Sequence, residues 1–119
     1  MKVLMVNGSP HEEGCTYTAL EEVAKALEKV GVETEIMWLG VDAIAGCIGC
    51  GACAKTGKGC FRGDVVNEFI EKAKEADGFI FGTPVHWGSA GGAITSFMDR
   101  VFYADLNGNG DRFRLKPAA

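Results

Sequence analysis

The sequence predicts an α/β protein, a doubly wound parallel sheet with helices on both faces in three layers. Three observations carry this. Short apolar runs alternate with amphipathic helical patterns in the order strand, helix, strand, loop, helix, strand, helix, which right-handed crossovers turn into a parallel sheet. The first run, residues 1–6 (MKVLMV), is apolar nearly throughout, as a strand covered on both faces requires. Two glycine-rich loops follow the first and third strands, at the end of the sheet where such folds hold ligands.

The elements follow in order. The first strand stops at the turn residues Asn7, Gly8, Ser9 and Pro10. Leu20, Val23, Ala24, Leu27 and Val30 then recur at helical spacing, with Glu21, Glu22, Lys25, Glu28 and Lys29 opposite and Gly31 as the stop. Thr18 followed by Glu21 reads as a capping box at the start of that helix. Residues 32–39 (VETEIMWL) alternate and then turn apolar, as a strand at a sheet edge does. Residues 40–63 have neither period and form a cysteine-rich insertion. Asp64 caps a second helix with Val66, Phe69, Ile70 and Ala73 on its apolar face, expected to end near Asp77 and Gly78. Phe79, Ile80 and Phe81 make the third strand, broken by Thr83 and Pro84. Ile94, Phe97, Met98, Val101 and Phe102 define a third helix up to about Ala104, and residues 105–111 are turn chemistry.

Composition bounds the function. The length of 119 residues suits one domain, and 47% hydrophobic with 24% charged residues is ordinary for a folded chain. The net charge of −4 has no basic stripe, which argues against nucleic acid as a partner. The apolar start is far shorter than a signal-peptide core or a membrane span, so no membrane partner and a cytoplasmic location are expected. Glycine is the outlier: 17 of 119 residues, about twice the usual share of roughly 7%. Four of the five cysteines fall between Cys47 and Cys60, a pattern that in a reducing compartment reads as metal-binding or redox-active before disulfides.

The first glycine loop, residues 7–18, joins a buried strand to a helix N-terminus. Free backbone N–H groups and the positive end of the helix dipole suit an anion there, with the hydroxyls of Ser9, Thr16, Tyr17 and Thr18 as further donors. The loop has no Lys or Arg and matches neither the dinucleotide nor the nucleoside-triphosphate pattern, so it fits a monophosphate held by neutral donors. An ordinary capped turn is the alternative. In the second loop Pro84 ends the strand, Gly88, Gly91 and Gly92 let the backbone approach a flat ring, and His86 and Trp87 offer faces for stacking. Alternatively Trp87 packs in the core or at a subunit interface.

These residues carry a resemblance. Gly8, Ser9 and Pro10 followed by Gly14 and Thr16, then Thr83 to Ser89 (TPVHWGS) after the third strand, then Phe97, Met98, Asp99 and Arg100 in the next helix, resemble the NADPH-dependent FMN reductase branch of the flavodoxin-like proteins. The resemblance spans nearly the whole chain and implies a flavodoxin-like sheet with FMN as cofactor. It places the FMN phosphate on Ser9, His11, Cys15, Thr16, Tyr17 and Thr18, and the isoalloxazine ring along Pro84, Val85, His86, Trp87, Gly88 and Ser89. Two positions depart from the family, His11 where a basic residue is common and His86 where tyrosine is.

The cysteines Cys47, Cys50, Cys53 and Cys60 follow a Cys-x2-Cys-x2-Cys-x6-Cys spacing, close to that with which ferredoxins wrap an iron–sulfur cluster and unlike the paired spacing of structural zinc. The spacing also resembles that of the iron–sulfur flavoproteins, which implies a [4Fe–4S] cluster on these four residues. Free thiols are the other reading. The resemblance implies an enzyme in which NAD(P)H reduces FMN and electrons pass to an acceptor the sequence does not name, with no catalytic acid or base singled out. A non-enzymatic flavin and iron–sulfur electron carrier acting with a protein partner is the alternative, and a fragment that binds nothing is a third reading.

Two weaker patterns are discounted. Asp105, Asn107, Asn109, Gly110 and Asp111 imitate the opening of an EF-hand, but Lys116 stands where its bidentate glutamate is required. Cys15 beside a helix N-terminus is read as a small residue in a tight place rather than a reactive thiol. A flavodoxin-like sheet has five strands in the order 2-1-3-4-5, and only three are supplied, with residues 117–119 reading as the opening of a fourth. Strands 4 and 5 are therefore expected to be missing and the third strand to be an open edge, completed in a longer chain or by another subunit in a homo-oligomer, dimer or tetramer.

Overall fold

In the computed structural model, which describes residues 1–108 and 110–119, the first strand is the centre of the sheet. Strand β1 (Lys2–Asn7) pairs in parallel with β2 (Glu33–Trp38) on one side and β3 (Gly78–Gly82) on the other, giving the order β2-β1-β3. This is the flavodoxin-like order over the strands present. Alternate residues of β1 face opposite layers. Leu4 and Val6 join the larger core with Phe69, Phe79, Phe97 and Val101, whereas Met5 packs with Leu20 and Ala24 on the other face. Both faces are buried, so the apolar run needs no alternation. Each such side chain removed from water contributes about 1.5–3 kcal/mol.

Helix α1 (Cys15–Glu28) covers one face, while α3 (Val65–Ala73) and α4 (Gly92–Asn107) cover the other, completing three layers. Asp64 caps α3 as expected, its carboxylate accepting the Val66 N–H at 3.2 Å. Phe69 lies at the middle of an aromatic group that includes Phe79, Phe81, Phe97 and Phe113, with ring centroids 5.1–6.1 Å apart.

Several boundaries differ from expectation. Helix α1 begins at Cys15, three residues before the capping box, so Thr18 lies inside it and its hydroxyl donates to Gly14 O at 3.2 Å. Helix α3 ends at Ala73, ahead of Asp77, because the chain must descend to pair Asp77 N–H with Lys2 O. The cysteine insertion contains a five-residue helix, α2 (Ala52–Thr56), bounded by Gly51 and Gly57, both left-handed at φ 71° and 64°. Helix α4 runs on to Asn107 and takes in Asp105, which is buried and paired with Arg112 at 3.1 Å. The EF-hand lookalike thus begins inside a helix. Its Asn109 lies outside the described residues.

The outer edge of β3, expected to be open, is paired over Phe79 and Phe81. Phe79 N–H donates to Pro117 O at 3.0 Å, Ala119 N–H to Phe79 O at 3.1 Å, and Phe81 N–H to Ala119 O at 2.8 Å. Residues 117–119 therefore run parallel beside β3, in the position of a fourth strand. Among the described residues no helix is long and apolar enough to cross a membrane.

Candidate functional site

Because β1 and β3 are parallel neighbours, the loops that follow them emerge side by side. Gly8 N–H donates to Gly82 O at 2.8 Å and ties the two loops together. Glycine is needed at both: a Cβ on Gly8 would lie 3.0 Å from Ile94 Cβ and 3.1 Å from Gly82 O, and one on Gly82 would lie 2.9 Å from Thr16 Cγ2. The start of α1 thus rests directly on the end of β3.

The first loop is shaped by Asn7, a buried residue that sequence reasoning passed over. Its Oδ1 accepts Ser9 N–H at 3.0 Å and its Nδ2 donates to Glu12 O at 2.9 Å. Trp38 of β2 adds a bond from Nε1 to Ser9 O at 2.9 Å. Ser9 itself is buried and its hydroxyl accepts His11 N–H at 3.1 Å, so it builds the loop from within. His11 and Cys15 are exposed, and Thr16 and Tyr17 half-buried.

The first turn of α1 is left open. Gly14 is the N-cap, no side chain caps it and no acidic residue occupies the first turn. Among the described residues the N–H groups of Cys15, Thr16 and Tyr17 find no backbone acceptor. Unsatisfied donors at the positive end of a helix dipole form an anion site. That fits the phosphate of a flavin nucleotide.

The second loop is held at its base by Thr83, whose hydroxyl accepts Gly91 N–H and donates to Pro84 O, both at 3.0 Å. Val85 and Ala90 close it by an antiparallel bridge. Val85, His86, Gly88 and Ser89 are exposed, Gly88 is left-handed at φ 61°, and Trp87 is 93% exposed. Trp87 is therefore no core residue. It presents a bare aromatic face on the same rim as the open turn of α1.

The four cysteines Cys47, Cys50, Cys53 and Cys60 line one small pocket, together with Ile48, Phe61, Arg62, Arg100 and Tyr103. Among the described residues no three His, Cys, Asp or Glu side chains stand close enough to hold a metal ion, and all five thiols are free. Cys53, in α2, is buried in the larger core, whereas Cys50 is exposed.

The pocket wall nevertheless suits anionic sulfur. Gly49 N–H points at Cys47 Sγ at 3.4 Å, and Asp99 accepts Cys47 N–H at 3.3 Å. Cys60 is held through its backbone by Asn67 of α3, which accepts its N–H at 2.9 Å and donates to its carbonyl at 2.7 Å. Its sulfur faces Arg100 of α4, with Nε and one Nη each at 3.4 Å. Burial works against the Arg100 charge, and the bonds to Asp64 and Cys60 outweigh it, so the guanidinium sits above its ordinary value. Four thiols on one pocket, with N–H donors aimed at two of them, agree in ligand type with the donors an iron–sulfur cluster takes.

Arg100, Asp99 and Asn67 escaped the sequence reading as site residues. The available signal was Arg100 itself, a charge placed on the apolar stripe of Phe97, Val101 and Ala104.

An open parallel sheet that carries an uncapped helix N-terminus and an exposed aromatic loop at the carboxyl ends of adjacent strands is a flavodoxin-like protein. A crystal structure of a Klebsiella pneumoniae protein, a candidate quinone reductase, has the same fold with a TM-score of 0.60 at 22% identity, over 86% of this chain and 45% of that one. The chain belongs to the family described as NADPH-dependent FMN reductase, which it matches over residues 1–119. Among curated proteins it is similar to an iron–sulfur flavoprotein of Methanocaldococcus jannaschii, 41% identical over 100 residues that make up 84% of this chain and 51% of that protein. It is also similar to one of Archaeoglobus fulgidus, 38% identical over 84% of this chain and 48% of that protein. The chain spans about half the length of these relatives.

Proposed function

We propose that the protein is an FMN-dependent oxidoreductase that takes electrons from NAD(P)H and passes them to an acceptor by way of a [4Fe–4S] cluster in the cysteine pocket. The observation that carries this is the arrangement of α4. Its first turn packs Ile94 against Gly8 of the phosphate loop, and Asp99 and Arg100 further along hold Cys47 and Cys60. At 1.5 Å per residue, the six positions from Ile94 to Arg100 span about 9 Å, so one rigid element fixes both loops at short range.

When bound, FMN exchanges a hydride with nicotinamide and single electrons with a cluster, a conversion neither partner supplies alone. The residues of this chain bind and orient. The open N–H groups of Cys15, Thr16 and Tyr17 hold the phosphate, Trp87 and the backbone at Gly88 bear on the ring, and Cys47, Cys50, Cys53 and Cys60 ligate iron. The names of the curated relatives support the pairing of flavin and cluster. The same proposal includes a homo-oligomer, dimer or tetramer, which sedimentation would size.

The test is the visible spectrum, iron and acid-labile sulfide content, and NAD(P)H oxidation of protein prepared without oxygen. Flavin bands with broad absorption near 400 nm, iron, and steady nicotinamide oxidation are expected. A colourless protein would overturn the flavin site, and flavin without iron the cluster. Flavin and iron with no nicotinamide oxidation would leave the electron carrier as the better reading.

A further inference from the structure

We propose that Arg100 and Asp64 form a charge pair that sets the reduction potential at Cys60, with Arg100 favouring and Asp64 opposing the addition of an electron to the cluster. The inference rests on the cluster reading above and concerns residues outside the ligand set.

Arg100 is the largest fully buried side chain in the protein, with 1% of its side chain exposed. All five of its N–H groups are directed. One Nη donates to Asp64 Oδ2 at 2.6 Å and to Ala45 O at 3.3 Å, the other to Asp64 Oδ1 at 2.8 Å and to Cys60 Sγ at 3.4 Å, and Nε donates to the same sulfur at 3.4 Å. A surface cation would be screened by water. This one is dry, planar and fixed, and its forked face spends two donors on one sulfur atom while the opposite edge grips a carboxylate.

A neutral core would be simpler if Arg100 only filled space, because burying an ion pair seldom gains stability over apolar packing of the same volume. Its position suggests an electrostatic task. Reduction of an oxidised cluster adds one electron and nothing else, and the new negative charge is shared by the ligating sulfurs. N–H bonds to sulfur and a nearby positive charge stabilise that state and raise the potential. Asp64 is near the same sulfur with the opposite sign, but its carboxylate is 36% exposed, so water moderates its effect. Asp64 also caps α3 through Val66 N–H, which ties the pair to the helix whose Asn67 holds the Cys60 backbone. Arg100 is thus a positioning residue that acts through Cys60.

The signs make the proposal testable. Arg100→Gln removes the positive charge and leaves Asp64 unopposed, which should move the cluster potential negative. Asp64→Asn keeps an oxygen for the α3 cap and leaves Arg100 uncompensated, which should move it positive. Arg100→Lys keeps the charge without the planar fork and should recover part of the shift. The measurement is an anaerobic redox titration of the flavin- and iron-loaded protein followed by the low-temperature spin signal of the reduced cluster, with the flavin couple as internal reference. Opposite shifts at wild-type iron content, with the flavin couple unmoved, are the expected result. Shifts of the same sign, no shift, or a parallel loss of iron from both variants would overturn the proposal, since a merely structural pair would behave that way. If Arg100→Gln does not fold, Asp64→Asn decides alone: a positive shift supports the proposal and an unchanged potential overturns it. Wild-type protein without iron would remove the cluster reading and this inference with it, a result distinct from iron-loaded variants that fail to shift.

Discussion

Gly8, at the end of β1, is in contact with Ile94 in the first turn of α4, and the space between them is too small for a methyl group. A Cβ at Gly8 would approach Ile94 Cβ to 3.0 Å and Gly82 O to 3.1 Å. Neither neighbour is the free end of a flexible side chain, so one loop or the other must move. Gly8→Ala is expected to cost about 1–3 kcal/mol, the usual range for overpacking a filled site, read as a lowered urea midpoint. Because Gly8 N–H also ties the two loops at Gly82 O, FMN affinity should fall with it, measured by fluorescence titration of the apoprotein. An unchanged midpoint would mean that the loops are not packed as described.

The cysteine pocket and the rim formed by the loops after β1 and β3 are lined by different residues, and α4 touches both. Removing iron from the loaded protein with an oxidant and a chelator should therefore abolish the cluster absorption and leave the flavin bands in place. Cys60→Ser should do the same at the level of biosynthesis, with iron content reduced by half or more and FMN retained, since Asn67 continues to hold the backbone at that position. Loss of FMN in step with iron would contradict the independence of the two sites.

Glu35 on the edge strand β2 receives Lys2 of β1 at 2.7 Å and also Lys72 of α3, joining three elements through one carboxylate. The hydrogen bonds from Lys2 and then Lys72 hold its pKa below the ordinary glutamate value, against a smaller opposing effect of burial. A carboxylate with a depressed folded-state pKa stabilises the fold above its unfolded value and loses that contribution as pH falls through the folded one. Glu35→Gln should therefore be less stable than wild type at neutral pH. The difference should close progressively below about pH 4.3. The lysines act at the other limb: Glu35 raises both, so their share persists below the ordinary lysine value and is lost only as pH climbs past it. Urea denaturation across the acid range checks the sign, and a gap that widens toward low pH would contradict it.

The pattern of apolar residues made the sheet and its three layers legible, because β1 is buried on both faces and β3 supplies two phenylalanines to the larger core. What escaped has physical reasons. The start of α1 was misplaced at Thr18 because a helix normally begins where a side chain can cap it. Here Gly14 leaves the first turn uncapped, and the local rule fails at the place where an anion would bind. Helix α2 is five residues between two left-handed glycines, too short to show a period. The convergence of Cys60 on Arg100 joins positions 40 apart, which no local pattern reports. Asn7 and Asn67 were missed for a related reason, since each works by bonding backbone groups of a loop rather than by any motif.

Trp87 is 93% exposed in a loop closed by Val85 and Ala90 and held at its base by Thr83. Leaving so large an aromatic surface in water has no folding benefit, so truncating it should leave the urea midpoint unchanged. If the ring of FMN lies against it, Trp87→Ala loses one aromatic stacking contact, about 0.5–1.5 kcal/mol, or roughly two- to tenfold in the dissociation constant. Trp87→Phe should keep most of that affinity. The indole also provides its own readout, since stacking on a flavin quenches its fluorescence, and the second tryptophan, Trp38, is half-buried and bonded to Ser9 O. Titration of FMN into apoprotein should therefore quench wild type strongly and Trp87→Phe weakly. Equal quenching in the two proteins would place the ring elsewhere on the rim and assign the signal to Trp38.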